Sequence, residues 1–480
     1  MKNHRQIRKS GAAAVWPRMF GLPGAAAIAA LGIGAAPAAA AGDEVFAENG
    51  AWGYNGPHAV YSDGKLFTNY IDSGGDIWAQ SYDVNTGAID RGLVYETYGD
   101  LHQAGAITVR PDGHLHVPIN QGNVYNDNHT YWKVSENPGD VTSFGDIQQS
   151  SDSGQSQGRQ FYPMVHEDSG EMYQVVNYLD GNRRTGMWHS PDGGDTFDQF
   201  DELFTLGRGL SQDRSYTRAY MEGDSIHMVG ARVGWGESLV DREIGRVEGI
   251  YYTRYDVTTE SFYRADGTKT FELGDHPELT SPDTELFDTI WHWEEDGDKQ
   301  QRALWADLVA RDGKPYVTLA IQDYEGFEDG GSPPHTGYWA TPDEDGDWTT
   351  SEVAQLARGW DNTPERKNYS IAIDPDDPNL LYVAKSTDWE NDLSQVHRMF
   401  TPDDGETWQS LGAISDEGRI STVIAPWRLD DTETPIKALW LEGQMEGWSN
   451  YNTSIMIPEP ASLALLGAGG LLLLRRRSRC

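Results

Sequence analysis

His58-Ala-Val-Tyr-Ser-Asp-Gly-Lys-Leu-Phe-Thr-Asn-Tyr-Ile-Asp72 decides the fold. Residues 58–61 and 66–71 read as two short strands of apolar and aromatic side chains, with Asp63-Gly64 as a tight turn between them. Such turns hold their central residues at positive φ, which glycine accepts freely and aspartate tolerates. A single hairpin is compatible with many folds. Recurrence narrows them.

The pattern of strand, Asp/Gly/Pro turn and alternating strand returns down the chain. Residues 104–120 turn at Asp112-Gly113, 161–178 at Asp168-Ser-Gly170, and 215–233 at Glu222-Gly223-Asp224. Residues 303–323 turn at Asp312-Gly313-Lys314, 368–388 at Asp376-Asp377-Pro378-Asn379, and 419–443 more loosely near 430–433. The units start about 50–65 residues apart, with one longer gap between the fourth and fifth, which is the length of a four-stranded blade with its loops. Seven such units predict an all-β chain, a seven-bladed β-propeller. A β-sandwich of equal strand count would explain no fixed period.

Smaller signals agree. Tyr82-Asp-Val-Asn-Thr-Gly87 and Tyr255-Asp-Val-Thr-Thr-Glu260 read as turns between outer strands. Ser190-Pro-Asp-Gly-Gly-Asp-Thr-Phe197 and Thr401-Pro-Asp-Asp-Gly-Glu-Thr-Trp408 match the Asp-box motif of sialidase-type propellers, and Thr341-Pro-Asp-Glu-Asp-Gly-Asp-Trp348 is a degenerate third. These mark a fold and carry no chemistry. The long gap holds an acidic stretch, 272–301, with Thr289-Ile-Trp-His-Trp-Glu294 inside it, expected as a loop that either overhangs the ring or is solvated.

Both ends read as processing segments. Lys2, Arg5, Arg8 and Lys9 precede a Gly/Ala-rich apolar stretch and then Ala38-Ala-Ala40, so residues 1–41 are expected to be a secretory signal peptide. Pro458-Glu-Pro460, a short apolar run and Arg475-Arg-Arg477 resemble the PEP-CTERM sorting signal of Gram-negative bacteria. That resemblance assigns residues 454–480 to sorting. It implies an exosortase-type enzyme as a partner, and a destination at the cell surface or in the extracellular matrix. The propeller then occupies residues 42–453.

The only cysteine is Cys480, so the propeller has no disulfide to draw on. The chain carries 37 basic and 75 acidic residues, a net charge of −38. Residues 1–41 hold five basic and no acidic groups, and 458–480 four basic and one acidic, which leaves −46 on the part between. This excludes nucleic acid as a partner. It suits a saline medium, where screening mutes self-repulsion.

In a propeller the first strand of each blade lines the axis, so the starts of these strands gather at one rim. Those positions read His58, His102, Tyr162, Tyr216 with Arg214 and Arg218, Arg302 with Trp305, and Tyr369. Side chains with polar tips recur where a purely structural hairpin needs none. Together they offer bases, acids and carboxylate clamps.

Gly56-Pro-His58-Ala-Val-Tyr61, Phe161-Tyr-Pro163, Arg214-Ser-Tyr216, Glu248-Gly-Ile-Tyr-Tyr252, Phe262-Tyr-Arg-Ala-Asp-Gly267 and Tyr369-Ser-Ile-Ala-Ile-Asp-Pro375 resemble the BNR-4 repeat family across roughly residues 43–451. That family is similar to the seven-bladed propeller lyases that act on ulvan. The resemblance implies β-elimination at a uronic acid, with His102, Tyr162 and Tyr216 catalytic. It implies that His58, Arg214, Arg218, Tyr220, Arg302 and Tyr369 bind substrate, with Arg218 or Arg214 neutralising the carboxylate. The sequence departs from the family pattern at Asn120-Gln-Gly-Asn123, where a second His is common, and near Tyr178, where an Arg is common.

The expected partner is an acidic polysaccharide and the expected state a monomer. No cofactor is required. The Asp-rich stretches 343–347 and 374–377 suggest structural Ca²⁺, although neither has EF-hand spacing. His114 and His116 alternate on one strand but make a weak metal signal. The competing readings are a non-catalytic glycan-binding propeller and a sialidase-like hydrolase, for which the chain lacks a Phe-Arg-Ile-Pro signature and an arginine triad.

Overall fold

A computed structural model describes residues 43–52, 56–97, 106–119, 129–150, 158–178, 185–205, 214–234, 246–275, 286–292, 301–323, 334–357, 370–429, 435–445 and 451–458. The chain divides after Ala38 into two compact units, and all of these residues lie in the second. Every regular element among them is a strand, and seven antiparallel sheets form the blades of a β-propeller.

Blade 1 is Ala59–Ser62, Lys65–Asp72, Ile77–Asp83 and Ile89–Tyr95, from axis to rim. Blade 2 is Thr108–Val109, Leu115–Ile119, Tyr131–Val134 and Gln148–Gln149. Blade 3 is Gly158–Val165, Met172–Tyr178, Thr185–Ser190 and Gln199–Phe204. Blade 4 begins with Arg214–Glu222, Ser225–Gly234 and Arg246–Asp256 and continues through Ser261–Tyr263 and Lys269–Glu272. Blade 5 is Gln301–Arg311, Lys314–Asp323, His335–Pro342 and Trp348–Gln355, and blade 6 is Ile371–Ile373, Leu380–Asp388, Leu393–Phe400 and Gln409–Ala413. Blade 7 takes Ile420–Ile424, Leu439–Met445 and Tyr451–Pro458 from one end of the chain, and its outer strand Asp43–Glu48 from the other.

The opening hairpin forms as its sequence predicts. Ser62 faces Lys65 across the turn, with Asp63 at φ 51° and Gly64 at φ 76°. Blade 5 repeats this at Asp312 (54°) and Gly313 (77°). Two adjacent left-handed residues give the twist that continues a right-twisted ladder, so these dipeptides fix register as well as direction.

Adjacent blades lock through aromatic rings. The two Ser/Thr-Pro-Asp turns have matching bonds: Gly194 N–H donates to Ser190 Oγ and Gly405 N–H to Thr401 Oγ1, both at 2.7 Å. Asp192 accepts the Thr196 N–H at 2.9 Å, and Asp403 the Thr407 N–H at 2.8 Å. Each turn then delivers an aromatic residue to the third strand of the preceding blade. Phe197 meets Trp132 edge-on at 5.0 Å, and Trp408 meets Trp339 at 5.9 Å.

Three features were not expected from the sequence. Asp288–His292, read as part of a loop, is a strand pairing with Arg246–Asp256, Tyr252 opposite Asp288 and Gly249 opposite His292. Its Asp288 is buried and accepts Arg264 Nε at 2.7 Å and Ala265 N–H at 2.6 Å. Trp427–Arg428, within the long seventh connection, adds to the axial side of blade 1 in parallel, Val60 opposite Trp427. The last strand runs through Pro458, past the boundary at 453 drawn from sequence.

Candidate functional site

The inner strands run side by side, so their starts share one end of the axis and their turns the other. At the turn end blades 1 to 6 and the seventh connection line a cavity of about 710 Å³, with Arg110, Glu222, Arg311, Trp427 and Arg428 among its walls. Trp427 meets Tyr220 of blade 4 edge-on at 5.1 Å, and Arg428 Nη1 donates to Asp376 Oδ1 at 2.7 Å. The seventh connection is thus pinned across the axis by blades 1, 4 and 6.

Further from the turns lies a layer of buried polar side chains: His58, Tyr162, Arg218 and Asp307. Arg218 Nη2 donates to Asp307 Oδ1. The same oxygen accepts the Leu308 N–H at 2.9 Å, and Oδ2 accepts the Ile373 N–H at 2.9 Å. One carboxylate therefore ties blades 4, 5 and 6. A register shift between Trp305 and Asp307 lets this acid face the axis from a strand that otherwise alternates. Burial pushes the Asp307 carboxyl up, while Arg218 and the two backbone N–H groups pull it down. With three donors in place the ion pair is the consistent state.

His58 is held from below by its own backbone. Its carbonyl accepts Thr68 Oγ1 at 2.9 Å, that hydroxyl accepts Trp52 Nε1 at 3.2 Å, and the Trp52 ring stacks on the imidazole at 5.8 Å. Burial, and then the charge of Arg218, lowers the His58 pKa to about 3, so the ring is neutral at neutral pH. The Tyr162 ring stands against Gly56, where a Cβ would lie 2.9 Å from Cε1. Burial pushes its hydroxyl well above the usual phenol range; Arg218 opposes and Asp307 reinforces the shift. The layer thus presents a neutral imidazole, a protonated phenol and an internally matched ion pair.

The other predicted positions fall around it. Tyr216 is half-buried and packs on the main core cluster. With Arg218 and Tyr220 it shares one face of the blade 4 inner strand, by the two-residue period. Tyr220 sits on the turn side against Trp427, its hydroxyl raised to about 12 by burial and then by Glu222. Arg214 opens its strand and Arg302 is second in its own, both at the strand-start end. His102 and Tyr369 lie outside the described residues.

Asp307 escaped sequence reading, although a lone acid between Ala306 and Leu308 in an inner strand was the signal available. The Asp-rich turns proposed for Ca²⁺ cap themselves: Asp343 accepts the N–H groups of Asp345 and Asp347 at 2.9 and 3.0 Å. Asp374 accepts those of Asp376 and Asp377 and the Tyr382 hydroxyl. His116 is buried against Trp132 and Phe197 while His114 bonds the Ser135 carbonyl, so the two do not form a pair. Among the described residues no group of three His, Cys, Asp or Glu side chains is placed to hold a metal ion.

A sequence model of the BNR-4 family, described as "BNR repeat-containing family member", matches residues 65–356. In fold the chain is similar to a polysaccharide lyase of family PL25, an ulvan lyase solved bound to -[GlcA(1-4)Rha3S]-. The two share 15% identity at a TM-score of 0.64, over 87% of this chain and 96% of that one. A second PL25 ulvan lyase structure gives 14% identity and a TM-score of 0.63, over 88% and 95%. A search of the curated proteins found no match.

Proposed function

The chain belongs to the BNR-4 family of BNR repeat-containing proteins, and on that footing we propose that it is a glycan-active propeller. The finer reading is a lyase that cleaves a uronic-acid-containing, ulvan-like polysaccharide by β-elimination. The supporting observation is one of placement: Arg214, Tyr216 and Arg302 stand near the starts of neighbouring inner strands, and further along those strands Arg218 meets Asp307. In such a reaction a base removes the proton at C5, the C4–O bond breaks, a C4–C5 double bond forms and an acid protonates the leaving oxygen. The carbanion-like transition state demands that the neighbouring carboxylate be neutralised. Arg218 is already matched by Asp307, so Arg214 and Arg302 are the stronger candidates for that clamp, with His102 as base and Tyr216 as acid. Residues 1–41 as a leader and the segment that follows the last strand, through 480, as a sorting signal complete the reading, with an exosortase-type partner and a cell-surface or matrix destination.

The competing reading is glycan binding without turnover. It is favoured by the burial of His58 and Tyr162, which leaves fewer groups open to a substrate. Incubation with ulvan and other uronic-acid polymers, following absorbance of the unsaturated product, separates the two. Product release dependent on His102 supports the lyase. Folded protein that binds these polymers but yields no unsaturated product on any of them overturns it.

A further inference from the structure

Blade 3 reaches blade 4 through one buried side chain. The inner strand of a blade has a ladder partner on one side only, so it turns alternate N–H and C=O groups away from that partner. In the blade 4 inner strand, Arg214–Glu222, both of these groups on Thr217 are met by Asn177, from the second strand of blade 3. Thr217 N–H donates to Asn177 Oδ1 at 3.1 Å, and Asn177 Nδ2 donates to the Thr217 carbonyl at 2.9 Å. The carboxamide stands where the peptide of a neighbouring strand would. Its other N–H goes to Gln160 Oε1 at 2.7 Å, which fixes the orientation of the amide. Asn177, Gln160 and Thr217 are all buried, as is Thr185, whose Oγ1 lies 2.7 Å from Thr217 Oγ1.

What this brace holds follows from the two-residue period. Thr217 lies between Tyr216 and Arg218, whose side chains point to the opposite face of the strand. Arg218 donates to Asp307 of blade 5. The strand is therefore held at consecutive residues from two sides, by an amide of blade 3 at Thr217 and by an acid of blade 5 at Arg218. Half-buried Tyr216 comes immediately before that pair. An apolar side chain at 177 would remove two bonds to the Thr217 backbone and release the strand on its blade 3 side.

We infer that Asn177 is a positioning residue for the axial site, acting through the Thr217 backbone to set where Tyr216 stands. This rests on the lyase reading, in which Tyr216 is the acid. The test is a double-mutant cycle on kcat with the full chain, its Asn177→Ser and Tyr216→Phe variants and the two combined, assayed on the uronic-acid polymer the parent cleaves, ulvan first. Misplacing a reacting group by about 1 Å costs up to about 10²-fold, so Asn177→Ser should lower kcat by about tenfold or more alone and by less than about threefold beside Tyr216→Phe. Thr185→Val removes the hydroxyl bond of the same junction and leaves the brace, so it should lower the melting temperature without lowering kcat. Where Asn177→Ser melts below the assay temperature, Asn177→Asp, which keeps an acceptor for the Thr217 N–H, takes its place in the cycle. The same loss in both backgrounds, no loss in either, or an equal loss in Thr185→Val overturns the role of Asn177 and leaves the lyase reading standing. A folded parent that yields no unsaturated product from any of these polymers overturns both.

Discussion

Arg218 and Asp307 meet at the axis of the ring, and the carboxylate that holds the guanidinium also takes the backbone N–H of Ile373 from a third blade. Removing Asp307 takes from a buried guanidinium the carboxylate that meets its charge. Asp307→Ala should therefore cost about 3–5 kcal/mol in urea unfolding. An Arg218→Met/Asp307→Leu double variant removes both charges and should recover most of that loss. Equal destabilisation in the two variants would show that packing, and not the stranded charge, is responsible.

Stability should fall as the medium is acidified from neutrality. His58, His116 and His227 are each lowered to about 3, in every case first by burial. The unfolded chain protonates these rings near 6.5 while the folded chain does not. Each therefore withdraws stability as pH falls from about 6.5 towards 3, by about 1.4 kcal/mol per pH unit. Urea midpoints measured at pH 7.5, 6.5, 5.5 and 5 should drop steadily below 6.5. His116→Phe, which keeps an aromatic ring between Trp132 and Phe197, should flatten the slope. A midpoint constant from pH 7.5 to 5 would contradict this account.

Two glycines with similar backbone angles should respond unequally to alanine. Gly87, at φ 71°, has open space around its missing Cβ. Gly405, at φ 91°, would place that atom 2.6 Å from Trp339 Cζ3. Gly87→Ala should cost the left-handed penalty of about 1–2 kcal/mol and no more. Gly405→Ala should cost clearly more, because it also displaces the indole that joins blades 5 and 6. Thermal melts of the pair would show it.

If the axial end performs elimination, Tyr216→Phe and His102→Ala should each lower kcat by about 10²- to 10⁴-fold, the range expected for losing a positioned acid or base. Tyr216→Phe keeps the ring that packs on the core, so its melting temperature should match the parent. A fall in melting temperature parallel to the fall in rate would reassign Tyr216 to packing.

How much the sequence reveals depends on whether a residue's neighbours in the chain are also its neighbours in space. Asp63-Gly64 and Asp312-Gly313 are legible because the turn is a local affair of two backbone angles. Trp427–Arg428 is not, because two residues pairing in parallel with a strand from the far end of the chain leave no periodic trace. At the axis, His58, Tyr162 and Arg218 stand out as polar residues on or just before inner strands, but the acid that meets Arg218 does not. Asp307 reaches the axis through a shift in register, and an alternation pattern cannot place a residue that breaks it. That is why Arg218 reads from sequence as a clamp for substrate, while in the fold its charge is met by Asp307.

The outer strand of blade 7 has a temporal consequence. Asp43–Glu48 lies against Tyr451–Pro458 with Asp43 opposite Pro458, so the first described strand finds its place only beside the last. The entropy of closing so long a loop must be overcome before the contact stabilises anything. Blades 1 to 6 can order on an open arc as the chain lengthens, and blade 7 is the clasp fastened last. Until residues 451–458 are available this outer strand has no partner, and a slow step of refolding should report on that clasp.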